Sequence, residues 1–161
     1  MNRNELIVVM GISGSGKSTI GQLLAKETAQ PFLDADDFHP KENVLKMSRG
    51  MPLDDDDRWP WLASIVEYVR NSHRDQFVLA CSALKRSYRE FLEQNINCRF
   101  VLLEINQEEA ERRMNAREGH FMKSNMVTSQ LETLQLTDEL VRINGEQSTD
   151  QILNDIQSHL K

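Results

Sequence analysis

The stretch G-I-S-G-S-G-K-S, residues 11–18, follows directly on the apolar run L-I-V-V-M at residues 6–10. This order predicts a buried strand, a glycine-rich loop and then the start of a helix. Gly11, Gly14 and Gly16 permit backbone angles and close approaches that a Cβ atom would block. The N–H groups of such a loop and of the helix after it point at one anion. The context therefore favours a phosphate-binding loop over a plain glycine turn.

The last residues of the loop supply the charge and the hydroxyl group that a nucleoside triphosphate needs. Lys17 brings a positive charge to the β- and γ-phosphates, and Ser18 offers a hydroxyl ligand for Mg²⁺. We therefore predict ATP and Mg²⁺ as ligands and Lys17 as a catalytic residue. The predicted nucleotide-binding residues of the loop are Gly11, Ser13, Gly14, Ser15, Gly16, Lys17, Ser18 and Thr19.

Composition narrows the function classes. The chain has 161 residues, of which 39% are hydrophobic and 27% charged, as expected for one soluble globular domain over residues 1–161. Its net charge of −6 argues against a nucleic-acid partner and requires a local cationic pocket for any anionic substrate. The two cysteines form neither a disulfide framework nor a metal-ligand pattern. No apolar stretch reaches membrane length and no signal-peptide pattern precedes the first strand, so we expect a cytoplasmic protein without a membrane partner.

Strand and helix signals alternate along the whole chain. Such alternation predicts the α/β class: a five-stranded parallel sheet flanked by helices on both faces, the three-layer P-loop NTPase fold. The right-handed crossover rule places the glycine loop at the carboxyl edge of the central strand, where ligands bind. The predicted strands are 5–10, 31–33, 76–81, 99–105 and 140–143, and the predicted helices 17–29, 40–49, 60–71, 85–94, 107–117, 127–134 and 149–160.

A group of acids follows the second predicted strand, in D-A-D-D-F-H-P at residues 34–40. On an extended segment the carboxylates of Asp34 and Asp36 point the same way. We predict that Asp34 supports the metal ion and that Asp36 accepts a proton from a hydroxyl nucleophile. The alternative is that these acids, with Asp37, cap the next helix. His39, held extended before a proline, is either a substrate donor or a residue that orders the loop.

Four successive carboxylates precede an arginine in G-M-P-L-D-D-D-D-R-W-P-W, residues 50–61. Such a run is most stable at a helix N-terminus, where the dipole favours negative charge. Arg58 either balances this charge or forms a planar fork for a substrate carboxylate. Trp59 and Trp61 are predicted to line the core or a pocket wall.

Several further motifs together resemble the gluconokinases, and the resemblance spans nearly the whole chain. These motifs are D-x-x-H-P at residues 36–40, P-L-x-x-x-D-R-x-P-W-L at 52–62, C-S-A-L-K at 81–85 with Tyr88 and Arg89, R-E-G-H-F-M at 117–122 and Q-L-E-T-L at 130–134.

The resemblance implies ATP-dependent phosphorylation of D-gluconate at its 6-hydroxyl. It also implies a nucleoside-monophosphate-kinase-like core with a lid, often in a homodimer. Ala35 and Asp54 stand where many relatives carry Gly and Asn, and neither change removes a charge that the chemistry uses. A shikimate-type or nucleoside monophosphate kinase on the same fold is the alternative, whereas a GTP switch would need an N-K-x-D signature that the chain lacks.

Carried over by position, the resemblance adds substrate-binding candidates. Ser82 and Lys85 follow a third strand that ends without a carboxylate, so metal support falls to the acids after the second strand. Lys85 and Arg89, four residues apart on a helix, either bind the sugar-acid carboxylate or face solvent. The predicted substrate-binding residues are Asp36, His39, Arg58, Ser82, Lys85 and His120.

The resemblance also implies a lid at about residues 117–126. Arg113 and Arg117 share a helix face, and in kinases of this shape such arginines cover the nucleotide and neutralise the charge that develops during transfer. Arg117 is thus a catalytic candidate and Arg113 a nucleotide-binding one, with a charged helix face as the alternative for both. Gly119 is the expected hinge, and His120 closes over the pocket.

Overall fold

The computed structural model describes residues 4–116 and 123–160. Within these ranges five strands alternate with seven α-helices, and a 3₁₀ helix, Ala35–Phe38, follows the second strand. None of the described helices is both long and apolar enough to cross a membrane. In chain order the elements are β1 (Glu5–Met10), α1 (Lys17–Glu27), β2 (Phe32–Asp34), α2 (Lys41–Ser48), α3 (Asp55–Arg70), β3 (Gln76–Ala80), α4 (Arg86–Asn95), β4 (Asn97–Glu104), α5 (Gln107–Asn115), α6 (Lys123–Thr133), β5 (Leu140–Asn144) and α7 (Thr149–Leu160).

The sheet is parallel throughout, with the strand order β2-β3-β1-β4-β5. Near its carboxyl end β1 pairs on one side with β3, Val9 opposite Ala80, and on the other with β4, Met10 opposite Leu102. The glycine loop that follows β1 therefore leaves the sheet at its centre. The predicted fold class and the predicted position of the loop are both confirmed.

Both faces of the sheet are buried, which explains why its central strands are almost continuously apolar. Alternate residues of β1 divide between two cores. Leu6, Val8 and Met10 join one that contains the apolar faces of α3 and α4, while Ile7 and Val9 join one with α1 and α7. A third, smaller cluster packs α5 and α6 against the loops at the carboxyl edge; it includes Ile12, Leu84, Ile105, Ala110, Met114 and Val127.

Two helices begin earlier than the sequence pattern predicts. Helix α3 begins at Asp55 rather than at Pro60, because Asp54 and Asp57 form a reciprocal capping box: each side chain accepts a hydrogen bond from the other's backbone N–H, at 2.8 and 2.9 Å. Pro60 is accommodated inside the helix. Helix α6 begins at Lys123, so it already includes part of the predicted lid segment.

Candidate active site

The glycine loop has a conformation that only glycine adopts without strain at three positions, Gly11, Gly14 and Gly16. Gly14 and Gly16 have φ angles of 85° and 91°. A Cβ atom on Gly14 would lie 2.9 Å from the carbonyl oxygen of Ala110 on α5. The N–H of Ser15 donates to the carbonyl of Ile12 at 3.1 Å, which closes the loop as a tight turn.

The start of α1 is suited to an anion. Within residues 4–116, no side chain caps this helix and no acid lies in its first turn, whereas α3 and α5 begin with a capping side chain and at least two acids. The first N–H groups of a helix have no intrahelical partner and form the positive end of its dipole. Lys17 and Ser18 occupy the first two positions of α1, where a phosphate group can reach both these N–H groups and the lysine.

The acids at the end of β2 adopt a geometry that differs from the prediction. Asp36 lies in the 3₁₀ helix rather than on an extended segment, because the Oδ1 atom of Asp34 accepts a hydrogen bond from the Asp36 N–H at 3.0 Å and caps that helix. Asp34 therefore has a capping contact, which was the predicted alternative. Its second carboxylate oxygen takes no part in this hydrogen bond. Asp36 and Asp37 are both exposed.

Charged groups from the glycine loop and from β2 converge on the end of β3. Burial raises the pKa of the Cys81 thiol to about 12, and the charges of Lys17, Asp36 and Asp34 all act on this thiol. These three side chains lie at or after the carboxyl ends of β1 and β2, the two strands on either side of β3. The cation and both carboxylates that the sequence predicts for phosphoryl transfer are therefore at the same edge of the sheet, within electrostatic reach of one buried thiol.

His39 packs against the ring of Trp61, with a centroid distance of 4.4 Å and an angle of 15° between the planes. Its Nδ1 atom is 3.2 Å from the amide nitrogen of Asn43. Burial lowers the pKa of His39, which Asp36 partly offsets and Arg58 reinforces. His39 therefore has the predicted ordering contacts, and it lies within electrostatic reach of two predicted substrate-binding residues.

Arg58 and Lys85 meet at one phenol. The Nη1 atom of Arg58 donates to the hydroxyl of Tyr88 at 3.1 Å, and that hydroxyl donates to Asp55. Lys85 pairs with the same Asp55 carboxylate at 2.8 Å. Hydrogen bonds from Lys85 and Tyr88 hold the pKa of Asp55 below its ordinary value. The two predicted carboxylate-binding cations thus lie side by side, one ion-paired and one bound to a neutral group.

The acidic run lies at the N-terminus of α3, as predicted, but Arg58 is not its close counter-charge. Among the ion pairs of the described residues, Lys46 contacts Asp57 at 2.6 Å and Asp54 at 3.8 Å, while Lys85 contacts Asp55. Lys46 belongs to α2, and no local sequence pattern signals this contact between separate helices.

A family model described as shikimate kinase matches residues 13–161 and defines the broad family. The gluconokinase of Gluconobacter oxydans is 40% identical over 163 residues, which cover 98% of this chain and 92% of that protein. The chain belongs to the gluconokinase family within this broader group. A crystal structure of a gluconokinase from Sinorhizobium meliloti agrees: its TM-score is 0.86 at 42% identity, covering 99% of this chain and 93% of that one. The shikimate kinase of Aquifex aeolicus, with a TM-score of 0.61 at 17% identity, 96% of this chain and 95% of that one, shows the shared fold alone.

Of the two departures from the gluconokinase pattern, that at Asp54 has a structural explanation and that at Ala35 has none. Asp54 caps α3, a position in which aspartate and asparagine serve equally well. Ala35 is buried, and its carbonyl accepts a hydrogen bond from the indole nitrogen of Trp61 at 2.7 Å. This bond ties the 3₁₀ helix to α3, and Trp61 is buried in the core as predicted.

Both sequence alternatives for Arg89 are wrong, because this member of the gluconokinase motif is 0% exposed. It faces neither solvent nor a ligand site, and its guanidinium is fully engaged by the protein. Two hydrogen bonds go to the carbonyls of Ala83 and Leu84, at 2.7 and 3.1 Å, beside Ser82 and Lys85. The others go to Gln135, Thr137 and Glu139.

Ala83 explains why this segment needs support. Its φ of 46° lies in the left-handed region, which is strained for a residue with a side chain. Ser82, partly exposed, lies immediately before it at the carboxyl end of β3. Arg89 therefore fixes the segment that carries two substrate-binding candidates of the gluconokinase motif.

Arg113 contacts the glycine loop through a backbone carbonyl of the loop. Its Nη1 atom donates to the carbonyl of Gly14 at 3.1 Å, its Nη2 atom to that of Gly145 at 3.0 Å, and its Nε atom to Glu109 at 3.3 Å. Arg112, by contrast, is exposed as expected, with 71% of its side chain accessible. The predicted lid residues Arg117, Gly119 and His120 lie outside the described residues.

The remaining loop residues differ in what they offer a nucleotide. Thr19 is exposed at the third position of α1. The hydroxyl of Ser15 is buried and has no hydrogen-bond partner in the described part of the chain. The N–H of Ser13 donates to the side-chain oxygen of Gln130 at 2.6 Å. Gln130 belongs to the Q-L-E-T-L motif of the gluconokinase resemblance. No local pattern signals its contact with Ser13, because α6 and the glycine loop are far apart along the chain.

Proposed function

We propose that this chain phosphorylates D-gluconate at its 6-hydroxyl with ATP and Mg²⁺. The observation that carries the proposal is that Lys17, Asp34 and Asp36 all lie at the carboxyl edge of the sheet, within electrostatic reach of the end of β3, in a chain that belongs to the gluconokinase family. A cation for phosphates and two carboxylates, one for a metal ion and one for a hydroxyl group, are the groups that such a transfer requires.

The glycine loop and the start of α1 hold the triphosphate in this proposal. Loop N–H groups and Lys17 neutralise the phosphates, and this fixed arrangement stabilises charge as it moves during transfer. Mg²⁺ prefers oxygen ligands and retains several water molecules, so it needs few protein ligands. The Ser18 hydroxyl and the second oxygen of Asp34 fit this requirement, and when bound the ion neutralises charge on the phosphates.

Asp36 acts as the base. Its carboxylate is exposed at the carboxyl edge of the sheet, the edge at which the phosphate loop also lies. As the 6-hydroxyl attacks, Asp36 accepts its proton and the alcohol oxygen forms the new bond to the γ-phosphorus, while the bond from that phosphorus to the β,γ-bridging oxygen breaks and ADP leaves with this oxygen. His39 and Ser82, at the same edge, are assigned to the sugar hydroxyls.

Arg58 is the preferred group for the gluconate carboxylate. Lys85 is already paired with Asp55, whereas Arg58 donates to the neutral Tyr88 hydroxyl and, among the described residues, takes part in no ion pair. A guanidinium also matches a carboxylate with two parallel hydrogen bonds, which an ammonium group cannot do. Lys85 then serves to hold Asp55 and Tyr88 beside the arginine.

Arg58→Lys should raise the KM for gluconate by about tenfold or more and change the KM for ATP by less than twofold. The charge is retained, but the bidentate contact is lost. Steady-state kinetics with each substrate varied in turn measures the two constants. Lys85→Met is the matched comparison: a larger effect on the gluconate KM from this variant than from Arg58→Lys would reverse the two roles.

The proposal also assigns roles to three further residues. Arg113 supports the nucleotide through the loop, Arg117 neutralises the transferring phosphoryl group, and His120 contacts the substrate. We further propose a cytoplasmic homodimer, on the strength of the family resemblance. Light scattering coupled to size-exclusion chromatography measures the oligomeric state.

The alternative is a shikimate-type or nucleoside monophosphate kinase on the same fold; the matching family model is described as shikimate kinase, which supports the first of these. An ADP-release assay across gluconate, shikimate, glycerate and nucleoside monophosphates decides between them. We expect turnover with gluconate, and its loss in Lys17→Ala, which excludes a contaminating kinase. A higher kcat/KM for shikimate or for a nucleoside monophosphate would overturn the proposed function.

A further inference from the structure

The phosphate loop is held from outside by a side chain to which no role has been assigned. Gln130, on α6, accepts a hydrogen bond from the Ser13 N–H at 2.6 Å. The Ser15 N–H, by contrast, donates within the loop, to the carbonyl of Ile12. Ser13 is therefore fixed by a side chain of α6 rather than by its own loop.

Helix α6, which carries Gln130, is anchored in the core on both sides of this residue. Val127, one turn before Gln130, is 0% exposed and packs in the cluster that contains Ile12 of the loop. Leu131, the next residue after Gln130, is partly buried against the same cluster. The apolar residues thus attach α6 to the core, and Gln130 extends from an anchored helix to the loop.

The same loop is fixed at its next residues by α5. Arg113 donates to the Gly14 carbonyl, and the Ala110 carbonyl leaves no room for a Cβ atom on Gly14. One helix therefore holds a carbonyl of the loop and the other holds an N–H.

We propose that Gln130 is a positioning residue for the nucleotide, acting through the backbone of Ser13. Its amide oxygen fixes the first half of the loop before ATP binds, so that less ordering is required on binding. A neutral acceptor is favoured at this position, because the negative charge of a carboxylate would repel the phosphates of ATP. The inference rests on the proposed function only in taking the ligand of the loop to be ATP.

The test compares Gln130→Met, which keeps the length and removes the acceptor, with Gln130→Glu, which keeps an acceptor and adds a negative charge. Equilibrium affinity for a non-hydrolysable ATP analogue is measured without gluconate, and KM for both substrates and Tm are measured in parallel. For Gln130→Met we expect affinity about three- to tenfold weaker, as for one lost hydrogen bond. For Gln130→Glu we expect a loss of at least tenfold that diminishes as salt is raised. The gluconate KM and Tm should change little in either variant.

Gln107→Met is the matched control. Gln107 donates to Thr128 on α6 at 2.9 Å, so this variant removes a contact between α5 and α6 without touching the loop. We expect it to bind the analogue as the wild type does. The inference would be overturned if Gln130→Met bound the analogue within twofold of the wild type, or if Gln107→Met lost as much affinity as Gln130→Met. It would also be overturned if Gln130→Met raised the KM values for ATP and gluconate in parallel. Because analogue binding needs no acceptor, a failure to phosphorylate gluconate would be a separate result.

Discussion

Asp36→Asn should lower kcat for gluconate phosphorylation by about 10²- to 10⁴-fold, the range for a lost general base. Asparagine has nearly the same size but cannot accept the proton of the 6-hydroxyl. The side chain is exposed and the capping bond uses the Asp36 backbone N–H, so the fold should be unaffected. Affinity for an ATP analogue should stay within about twofold. Pre-steady-state measurement of phosphoryl transfer, together with analogue binding, separates the chemical step from binding.

Two neighbouring carboxylates provide the controls. Asp37→Asn changes an exposed acid of the same 3₁₀ helix to which we assign no role, and it should retain near-normal kcat. Asp34→Asn preserves a capping side chain, since asparagine caps as well as aspartate, but it removes the charge offered to Mg²⁺. It should therefore raise the Mg²⁺ concentration needed for half-maximal rate. Equal and mild effects from Asp34→Asn and Asp36→Asn would mean that the pair serves only to cap.

The part of the site that depends on local chain geometry was predictable from the sequence. A glycine loop between an apolar strand and a helix needs only adjacent residues to form, and alternating strands and helices favour a parallel sheet, which places the loop at the carboxyl edge. Gly14 and Gly16 have the positive φ angles that the motif requires. The acids after β2 were also located at the correct edge, because parallel strands all end there.

Local competition between backbone structures was harder to predict. Asp34 can end a strand that continues as an extended loop or begin a 3₁₀ helix, and the capping bond to the Asp36 N–H favours the second. Likewise Pro60 is a common first-turn residue, yet the capping box between Asp54 and Asp57 begins α3 five residues earlier. In both places a short side-chain hydrogen bond outweighs the residue preference on which the prediction relied.

Contacts between distant segments could not be read from the sequence. Whether Arg89 faces solvent, a ligand or the core depends on where the carbonyls at residues 83, 84 and 135 lie, and no local pattern records this. A weak signal existed: Arg89 lies between Tyr88 and Leu92, both buried on the same helix. The pairing of Gln130 with Ser13 and that of Lys46 with Asp57 are of the same kind.

Arg89→Met should destabilise the protein by about 3–5 kcal/mol, the usual cost of breaking a buried, hydrogen-bonded ion pair by removing one partner. The variant leaves the carbonyls of Ala83, Leu84 and Gln135 without their guanidinium donor. For a chain of this size the melting temperature should fall by roughly 10 °C. Arg89→Lys should recover little of this, because an ammonium group cannot reach so many acceptors at once. Urea unfolding monitored by circular dichroism measures the free energy.

Arg86→Met is the matched control, because Arg86 lies on the same helix and contacts the same Glu139 carboxylate, at 2.7 Å, with 35% of its side chain exposed. A partly exposed ion pair contributes about 1 kcal/mol or less, so this variant should be nearly as stable as the wild type. Similar decreases in the free energy of unfolding for Arg86→Met and Arg89→Met would mean that positive charge near Glu139, rather than the buried hydrogen bonds, accounts for the stabilisation.

The pH dependence of the Arg89→Met effect gives an independent check. Burial alone would raise the pKa of Glu139, but hydrogen bonds from Thr137, its own backbone N–H and Arg89 lower it to about 2. A carboxyl group whose pKa is lower in the folded state stabilises the protein above its ordinary pKa, and this contribution disappears as pH falls toward 2. The difference in unfolding free energy between wild type and Arg89→Met should therefore shrink between about pH 5 and pH 2. This difference should not fall to zero, because the three backbone carbonyls that accept hydrogen bonds from Arg89 have no ionisable proton. A difference that stays constant across this range would show that the ion pair with Glu139 contributes nothing.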